Sequence, residues 1–398
     1  MSVNTEKVEM IWMGSMKIDQ MRRSDDQKEV HMRDVFEMMD QYGHEQVIFC
    51  RNPQTGLKAI VAIHDTTMGP ALGGCRMLPY SSTDEALEDA LRLSRGMTYK
   101  NTLADTDFGG GKMVVIGDPQ KDKSPELFRA IGRFVGGLNG RFYTGTDMGT
   151  QPEDFIHAAR ESDSFVGLPK SHGGTGDTSI PTAFGLLQGM RATARFLWDT
   201  DQLAGRTVAI QGIGKVGERL LGLLIKEGAF CIIADLDSER CRKFRMKYGD
   251  QVQIADVGSI HKEDCDIFSP CARGGVINDE TVDELKCLAI AGSANNQLAD
   301  DRHGDLLHER GILYAPDYLV NAGGVIQVAG ELEGYHEERV LAKTRAIYEM
   351  LLAIYRRAKS ENISTCRAAD RLVIERLDKV AGLRCILLGD DHNRPGRR

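Results

Sequence analysis

At 398 residues the chain is long for a single hydrophobic core and long enough for two. Its 41% hydrophobic and 27% charged residues make an ordinary globular mixture, and no stretch approaches the roughly 18 consecutive apolar residues of a membrane span, which excludes a helical membrane protein. A formal charge of −8 offers no basic field to a phosphate backbone, so nucleic acid is not an expected partner.

Nine cysteines (Cys50, Cys75, Cys231, Cys241, Cys265, Cys271, Cys287, Cys366 and Cys385) are scattered without a C-x-x-C pair or a histidine spacing suited to zinc, so no metal site is expected. They read as reduced thiols, and an odd count with no apolar leader points to a cytoplasmic setting. Residues 1–31 are polar, acidic and rich in methionine, and read as an N-terminal tail. Organised structure is expected from Met32, which is also a candidate start.

A short helix over RDVFEMM is followed by two β-prone runs, 46–50 and 57–64, on either side of the turn-forming Asn52-Pro53-Gln54-Thr55-Gly56; this predicts a hairpin. Residues 66–77, TTMGPALGGCRM, are glycine-rich and aperiodic and read as a loop that either lines a site or merely connects. Ser82 and Glu85 then make an S-x-x-E capping box for a helix with Leu87, Ala90, Leu91, Ser94 and Met97 along one face, and this helix delivers Lys100.

The stretch 100–112, KNTLADTDFGGGK, brackets a run of three glycines with two lysines. The glycines read as a tight turn whose main chain passes close to a ligand, with Lys112 at its mouth before a strand over 113–116. Taken alone, a turn with a solvated lysine is the simpler reading. Ser124-Pro125 opens another helix, and a strand over 141–144 runs into Gly145-Thr146-Asp147-Met148-Gly149, a glycine-flanked loop carrying one acid. Gln151-Pro152 opens the next helix, so strands and helices alternate as in an α/β layer. Residues 171–180 read as a flexible junction near a domain boundary.

The second half begins with a helix over 181–197 and a buried strand over 206–211. Gly212-Ile213-Gly214-Lys215-Val216-Gly217 follows the strand and enters the apolar run 220–225. A second strand over 231–234 ends at Asp235, about 20 residues on, as a dinucleotide-binding fingerprint requires. The glycines admit a pyrophosphate to the backbone at a helix N-terminus, and Asp235 accepts hydrogen bonds from ribose hydroxyls while repelling a 2′-phosphate. NAD is therefore the expected cofactor. Further strands over 266–269, 289–291 and 312–314 predict a doubly wound sheet. Amphipathic helices over 337–359 and 366–380 either form an oligomer surface or pack back on the first half.

Taken in order, Pro70-Ala71-Leu72-Gly73-Gly74, Met97-Thr98-Tyr99-Lys100, Gly109-Gly110-Gly111-Lys112, Thr146-Asp147-Met148-Gly149, the G-x-G-x-x-G and Gly292-Ser293-Ala294-Asn295-Asn296 resemble the glutamate/leucine/phenylalanine/valine dehydrogenases. The resemblance runs from about Met32 to Ala381. It implies two α/β domains around a cleft: a substrate-binding and catalytic domain over 32–166, a Rossmann NAD-binding domain over 167–348, and C-terminal helices over 349–398. The implied reaction takes hydride from an amino-acid Cα and hydrolyses the imine to a 2-oxo acid and ammonia, in a homo-oligomer of six or eight subunits.

The resemblance assigns roles residue by residue. Lys100 would pair with the substrate carboxylate, Lys112 would be the general base freed of its proton by desolvation and by the charge of Lys100, and Asp147 would stabilise the amino end. Gly73 and Gly74 would present carbonyls to the amine. Asn296 would lie by the substrate, with Thr182, Ala272, Ala294, Asn295 and the glycine motif around the cofactor. Leu72, Met97, Gly145, Val166 and Val325 would line the side-chain pocket, Gly145 making room for a ring. RFYTGTDMGT and GDTSIPTA resemble the members that act on phenylalanine, whereas Val325 resembles the leucine-acting ones; a branched-chain substrate is the alternative, and an NAD-binding sensor without catalysis the third reading. Asn101 and Gly330 depart from the usual Cys and Asp.

Overall fold

The computed structural model describes residues 34–383. The expected tail at residues 1–31, the candidate start at Met32 and the thiol of Cys385 lie outside the described residues. The eight described cysteines are unpaired. Among the described residues no helix is long and apolar enough to cross a membrane.

The fold is α/β, with two sheets. The first is assembled from β1 (Gln46–Asn52), β2 (Leu57–Asp65), β3 (Ala71–Leu78), β4 (Gly109–Ile116) and β5 (Phe142–Thr146), in the order β1-β2-β4-β3-β5. β1 and β2 form the predicted antiparallel hairpin, β2 runs antiparallel to β4, and β3 lies parallel to both β4 and β5. Ser82 caps the helix Thr83–Leu103 by accepting from the Glu85 amide at 3.1 Å; the Glu85 carboxylate takes the amide of Ser81, so the box is displaced by one residue.

Two expectations are corrected here. The segment 66–77 is not a loop throughout, because Ala71–Leu78 is a central strand flanked on both sides. Nor do Gly109, Gly110 and Gly111 form a ligand-facing turn: they begin strand β4. Their lack of side chains serves packing. A Cβ on Gly110 would stand 2.1 Å from Thr98 Oγ1 and 2.2 Å from the Thr98 nitrogen, and one on Gly111 would stand 2.8 Å from the Phe142 ring. The glycines therefore let the helix Thr83–Leu103 and β5 close on the strand that carries Lys112.

The second sheet contains β6 (Thr207–Gln211), β7 (Phe230–Ala234), β8 (Val252–Ile254), β9 (Ile267–Pro270), β10 (Ala289–Ile290) and β11 (Leu313–Tyr314), ordered β11-β10-β9-β6-β7-β8. Every pair is parallel. The order reverses between β6 and β9, and in such a sheet ligands bind in the crevice at that reversal. The glycine motif leaves the end of β6 at this point. The single helix expected over 337–359 is two helices, Glu337–Arg345 and Ile347–Glu361, broken at Ala346. The last helix, Thr365–Leu383, returns to the first sheet's layer, where Arg376 donates to the Thr102 carbonyl at 3.1 Å and pairs with Asp105.

The glycine packing is testable. Gly110→Ala meets helix main chain that cannot swing away, and should lower stability by roughly 1–3 kcal/mol or more. Gly222→Ala lies inside the helix Lys215–Lys226 with only Tyr248 Oη at 3.7 Å from the new carbon, and should raise stability by roughly 0.4–1 kcal/mol. Denaturant unfolding of both variants measures the pair; equal effects would remove the packing account.

Candidate active site

The parallel trio β4-β3-β5 places one chemistry-bearing residue from each outer strand around a glycine pair on the middle one. Lys112, on β4, is only 4% exposed, and its Nζ pairs with Oδ2 of Asp147, the residue after β5. The β3–β4 register passes from Leu72↔Gly110 to Cys75↔Met113, so the ladder skips Gly73 and Gly74. Close approach explains both glycines. A Cβ on Gly73 would lie 1.8 Å from the Gly111 carbonyl oxygen, and one on Gly74 would lie 2.9 Å from the Asp147 Cβ.

Asp147 is held at both ends. Its amide donates to Thr150 Oγ1 at 2.9 Å, and that hydroxyl donates to the Cys75 carbonyl at 2.9 Å. Its Oδ1 accepts from the Met148 amide at 2.5 Å and faces Arg76 Nη2 at 3.5 Å. Burial by itself would raise the Asp147 carboxyl, but Lys112 and Arg76 outweigh it and hold it down to about 2. It is an anion throughout the neutral range.

Lys100 occupies the last turn of the helix Thr83–Leu103, and Asn101 beside it is fully buried. The Asn101 side chain donates to the carbonyls of Leu72 (3.1 Å) and Gly109 (2.6 Å), tying the helix to the beginnings of β3 and β4. This departure from the usual residue is therefore a strut. Lys100 Nζ donates to Asn321 Oδ1 at 2.6 Å, and Asn321 Nδ2 donates to Asn295 Oδ1 (2.7 Å) and the Ser293 carbonyl (3.2 Å). Asn321 thus joins the first sheet's layer to the loop after β10. Burial brings the Lys100 ammonium down to about 8, against the pull of Asp317 and with the help of Lys112.

The nucleotide end shows three glycines with three different surroundings. Gly212 has φ +96° and a Cβ there would meet Ala272 Cβ at 2.6 Å. Gly217 would strike the Gly212 carbonyl at 2.1 Å, so it serves helix-to-strand packing, while a Cβ on Gly214 would meet nothing within 4 Å. Gly214 is the N-cap of the helix Lys215–Lys226, so open space lies where exposed amides favour an anion. Ile213, Lys215 and Val216 complete this turn. Asp235, after β7, accepts from the Ile213 amide (2.6 Å) and the Asp237 amide (2.9 Å), which aims its carboxylate at the glycine turn. Thr182 Oγ1 donates to the Thr178 carbonyl at 2.8 Å within the helix Ser179–Trp198. Ala272 sits against the glycine turn, and buried Ala294 donates its amide to the Pro270 carbonyl at the end of β9.

Leu72, Val166 and Val325 are buried in one apolar cluster, with Met97 packed against it. Gly145 differs from expectation. Its missing Cβ would fall 2.5 Å from the Val166 carbonyl oxygen, so the glycine lets main chain approach main chain, and any room for a ring comes through the position of Val166. Asn296, in the left-handed region at φ +53°, does not join the Lys100 hydrogen bonds; it lines a cavity of about 740 Å³ with Tyr99, Tyr318 and Asp370.

Sequence reasoning missed Arg76 and Asn321. Reading 66–77 as a loop hid the two-residue alternation that puts Gly74 and Arg76 on one strand face. Asn321 was visible only as the start of NAGG, with nothing to place it beside a lysine 221 positions away.

A crevice built for a dinucleotide, together with a lysine–aspartate pair on a second sheet, defines a two-domain protein of the dinucleotide-binding class. The Glu/Leu/Phe/Val dehydrogenase dimerisation-domain profile matches residues 44–163, and the Glutamate/Leucine/Phenylalanine/Valine dehydrogenase profile matches residues 233–382. The chain is 76% identical over 362 residues to phenylalanine dehydrogenase of Thermoactinomyces intermedius, covering 91% of this chain and 99% of that one. It is 48% identical over 365 residues to leucine dehydrogenase of Geobacillus stearothermophilus, covering 92% and 99%. The solved structure of L-tryptophan dehydrogenase from Nostoc punctiforme superposes with a TM-score of 0.78 at 41% identity, covering 87% and 99%. The chain belongs to the Glu/Leu/Phe/Val dehydrogenase family and is an amino acid dehydrogenase.

The state of Lys100 can be read directly. Competitive acetylation, which modifies only the neutral amine, should titrate Lys100 with a midpoint near 8, so that its reactivity rises through that pH while solvent lysines wait for about 10.4. Mass-spectrometric mapping of the acetylated site gives the curve; a midpoint at the solvent value would contradict the desolvation described.

Proposed function

We propose that the protein catalyses the reversible, NAD-dependent oxidative deamination of L-phenylalanine to phenylpyruvate and ammonia. The observation that carries the reaction is the pairing of buried Lys112 with Asp147 beside Gly73 and Gly74, with Lys100 at the end of the adjoining helix. The amino acid is favoured by the 76% identity to a phenylalanine dehydrogenase, against 48% to a leucine dehydrogenase.

Lys100 holds the substrate carboxylate by charge, its ammonium placed by the hydrogen bond to Asn321 Oδ1, which sets Cα for transfer. The Gly73 and Gly74 carbonyls and the Asp147 carboxylate receive the ammonium. Bound NAD supplies the acceptor for the hydride that leaves Cα. Lys112 then takes the proton of the attacking water as the imine is converted to carbinolamine, and Asp147 passes protons to and from the nitrogen as ammonia leaves. Val166, Val325, Leu72 and Met97 contact the side chain and exclude water from the reacting carbon.

Support for NAD over its 2′-phosphorylated form comes from Asp235. Two amides take part of its acceptor capacity, and the remaining lone pairs can serve ribose hydroxyls, whereas a phosphate would meet a like charge. The dimerisation-domain match supports self-association, and a homo-oligomer of six or eight subunits is the form the family resemblance implies.

A substrate panel followed by NADH absorbance tests the reading. Phenylalanine should exceed leucine at least tenfold in kcat/KM; a tenfold preference for leucine would transfer the assignment to branched-chain substrates, and turnover of neither would leave the sensor. Asp235→Ser should raise kcat/KM with NADP relative to NAD by roughly tenfold or more, in line with about 1–3 kcal/mol for one charged contact. An unmoved cofactor ratio would remove Asp235 as the ribose ligand.

A further inference from the structure

Asp147 has a second cationic neighbour that the reaction as described does not use. Arg76 lies on β3 two residues after Gly74, with its side chain 12% exposed. Its Nη1 donates to both oxygens of Asp89, at 3.0 and 3.3 Å, and its Nη2 reaches Asp147 Oδ1 at 3.5 Å. Asp89, in the helix Thr83–Leu103, also accepts from the Tyr80 hydroxyl at 2.5 Å. The result is a chain of contacts, Tyr80–Asp89–Arg76–Asp147–Lys112, running from the segment ahead of the helix, through the helix, to the reacting lysine. Arg76 Nε is buried with no hydrogen-bond partner among the described residues. The fork is turned so that one arm is clamped by Asp89 and the other meets the Asp147 carboxylate.

We propose that Arg76 is a positioning residue for catalysis: anchored by Asp89, it holds Oδ1 of Asp147 so that Oδ2 stays directed at Lys112. The proposal rests on the roles given to Lys112 and Asp147 above. Geometry makes the division of labour specific, since each carboxylate oxygen has its own cation and the guanidinium cannot rotate without breaking its contacts with Asp89. Charge adds to geometry. The groups facing the carboxylate are Lys112 from β4 and Arg76 from β3, with Lys100 of the helix nearby and answered by Asp317. Behind them Lys123 and Asp154 pair with each other at 2.5 Å, and burial keeps the Cys75 thiol protonated. Removing the charge of Arg76 leaves the Lys112–Asp147 pair more negative, so the pair holds its proton more tightly and deamination, which needs a free base, switches on at higher pH.

The test uses the full-length enzyme with Arg76→Met, Arg76→Lys and Asp89→Asn, comparing the pH profile of kcat/KM for deamination, kcat, NADH affinity and Tm. Arg76→Met should lower kcat about 10–100-fold and move the basic-side onset upward by about 0.5–1 pH unit, with NADH affinity unchanged. Arg76→Lys should restore the onset while recovering only part of kcat, because it returns the charge without the fork. Asp89→Asn should lower kcat in the direction of Arg76→Met, by less, without raising the onset, because it loosens the fork while removing a negative rather than a positive charge. An unmoved onset in Arg76→Met, whatever its kcat, would overturn the proposal, as would wild-type kcat. Should Arg76→Met fail to fold, wild-type kcat in both other variants would overturn it equally. Lys112→Ala separates the two levels: wild-type turnover there sinks the assignment of Lys112 itself, independently of the Arg76 variants.

Discussion

The arrangement depends on one partly buried carboxylate shared between cations. Asp147 lies where solvation is poor, and an isolated anion there would take up a proton; Lys112 on one oxygen and Arg76 on the other keep it charged. Such a cluster is stable only when each member is held, because removing one partner of a buried pair leaves an uncompensated charge at a cost of about 3–5 kcal/mol. The surrounding structure supplies the holding. Thr150 and the Met148 amide fix Asp147, Asp89 fixes Arg76, and three strands of one sheet fix the spacing.

Glycine makes that spacing attainable. Gly73, Gly74, Gly110 and Gly111 are each placed where a Cβ would overlap main chain, a ring or the Asp147 side chain. Their contribution is to bring β3, β4, β5 and the helix Thr83–Leu103 close enough for charges on separate elements to touch. Asn101 adds a polar tie at the same junction, with two carbonyls as acceptors. The rigid sheet then faces a second one whose crevice is shaped for a dinucleotide, and Lys100, Asn321 and Asn295 link the two across 2.6 and 2.7 Å hydrogen bonds. On the role proposed for Lys100, a substrate carboxylate must compete with Asn321 for the ammonium or share it, which would couple substrate binding to the relation of the two halves.

Much of this was legible without coordinates. The G-x-G-x-x-G between strand and helix, with Asp235 after the next strand, marked the dinucleotide sheet because those positions have backbone requirements that few other residues meet. Lys100, Lys112 and Asp147 were marked by ordered motifs. Less legible were the neighbours. Reading 66–77 as a loop was an error of periodicity: adjacent glycines erase the alternation by which a strand is recognised, and Arg76 went with it. The triple glycine invited a turn, yet the partner that demanded small residues was a helix face, known only once the helix is packed.

The sequence by itself determined the kinds of element, the nucleotide fingerprint and the identities of the lysines and the acid, since these rest on local backbone preference and on short spacings. Tertiary structure decided which charges meet. Lys112 and Asp147 are 35 positions apart, Arg76 and Asp147 are 71 apart, and Lys100 and Asn321 are 221 apart. No local rule relates such positions; strand order and parallel register bring the first two pairs together, and packing of the two halves brings the third. Gly145 shows the same division: its absence of a side chain was plain from the chain, but that the vacant direction points at the Val166 main chain follows only from the bridge between Thr144 and Phe165.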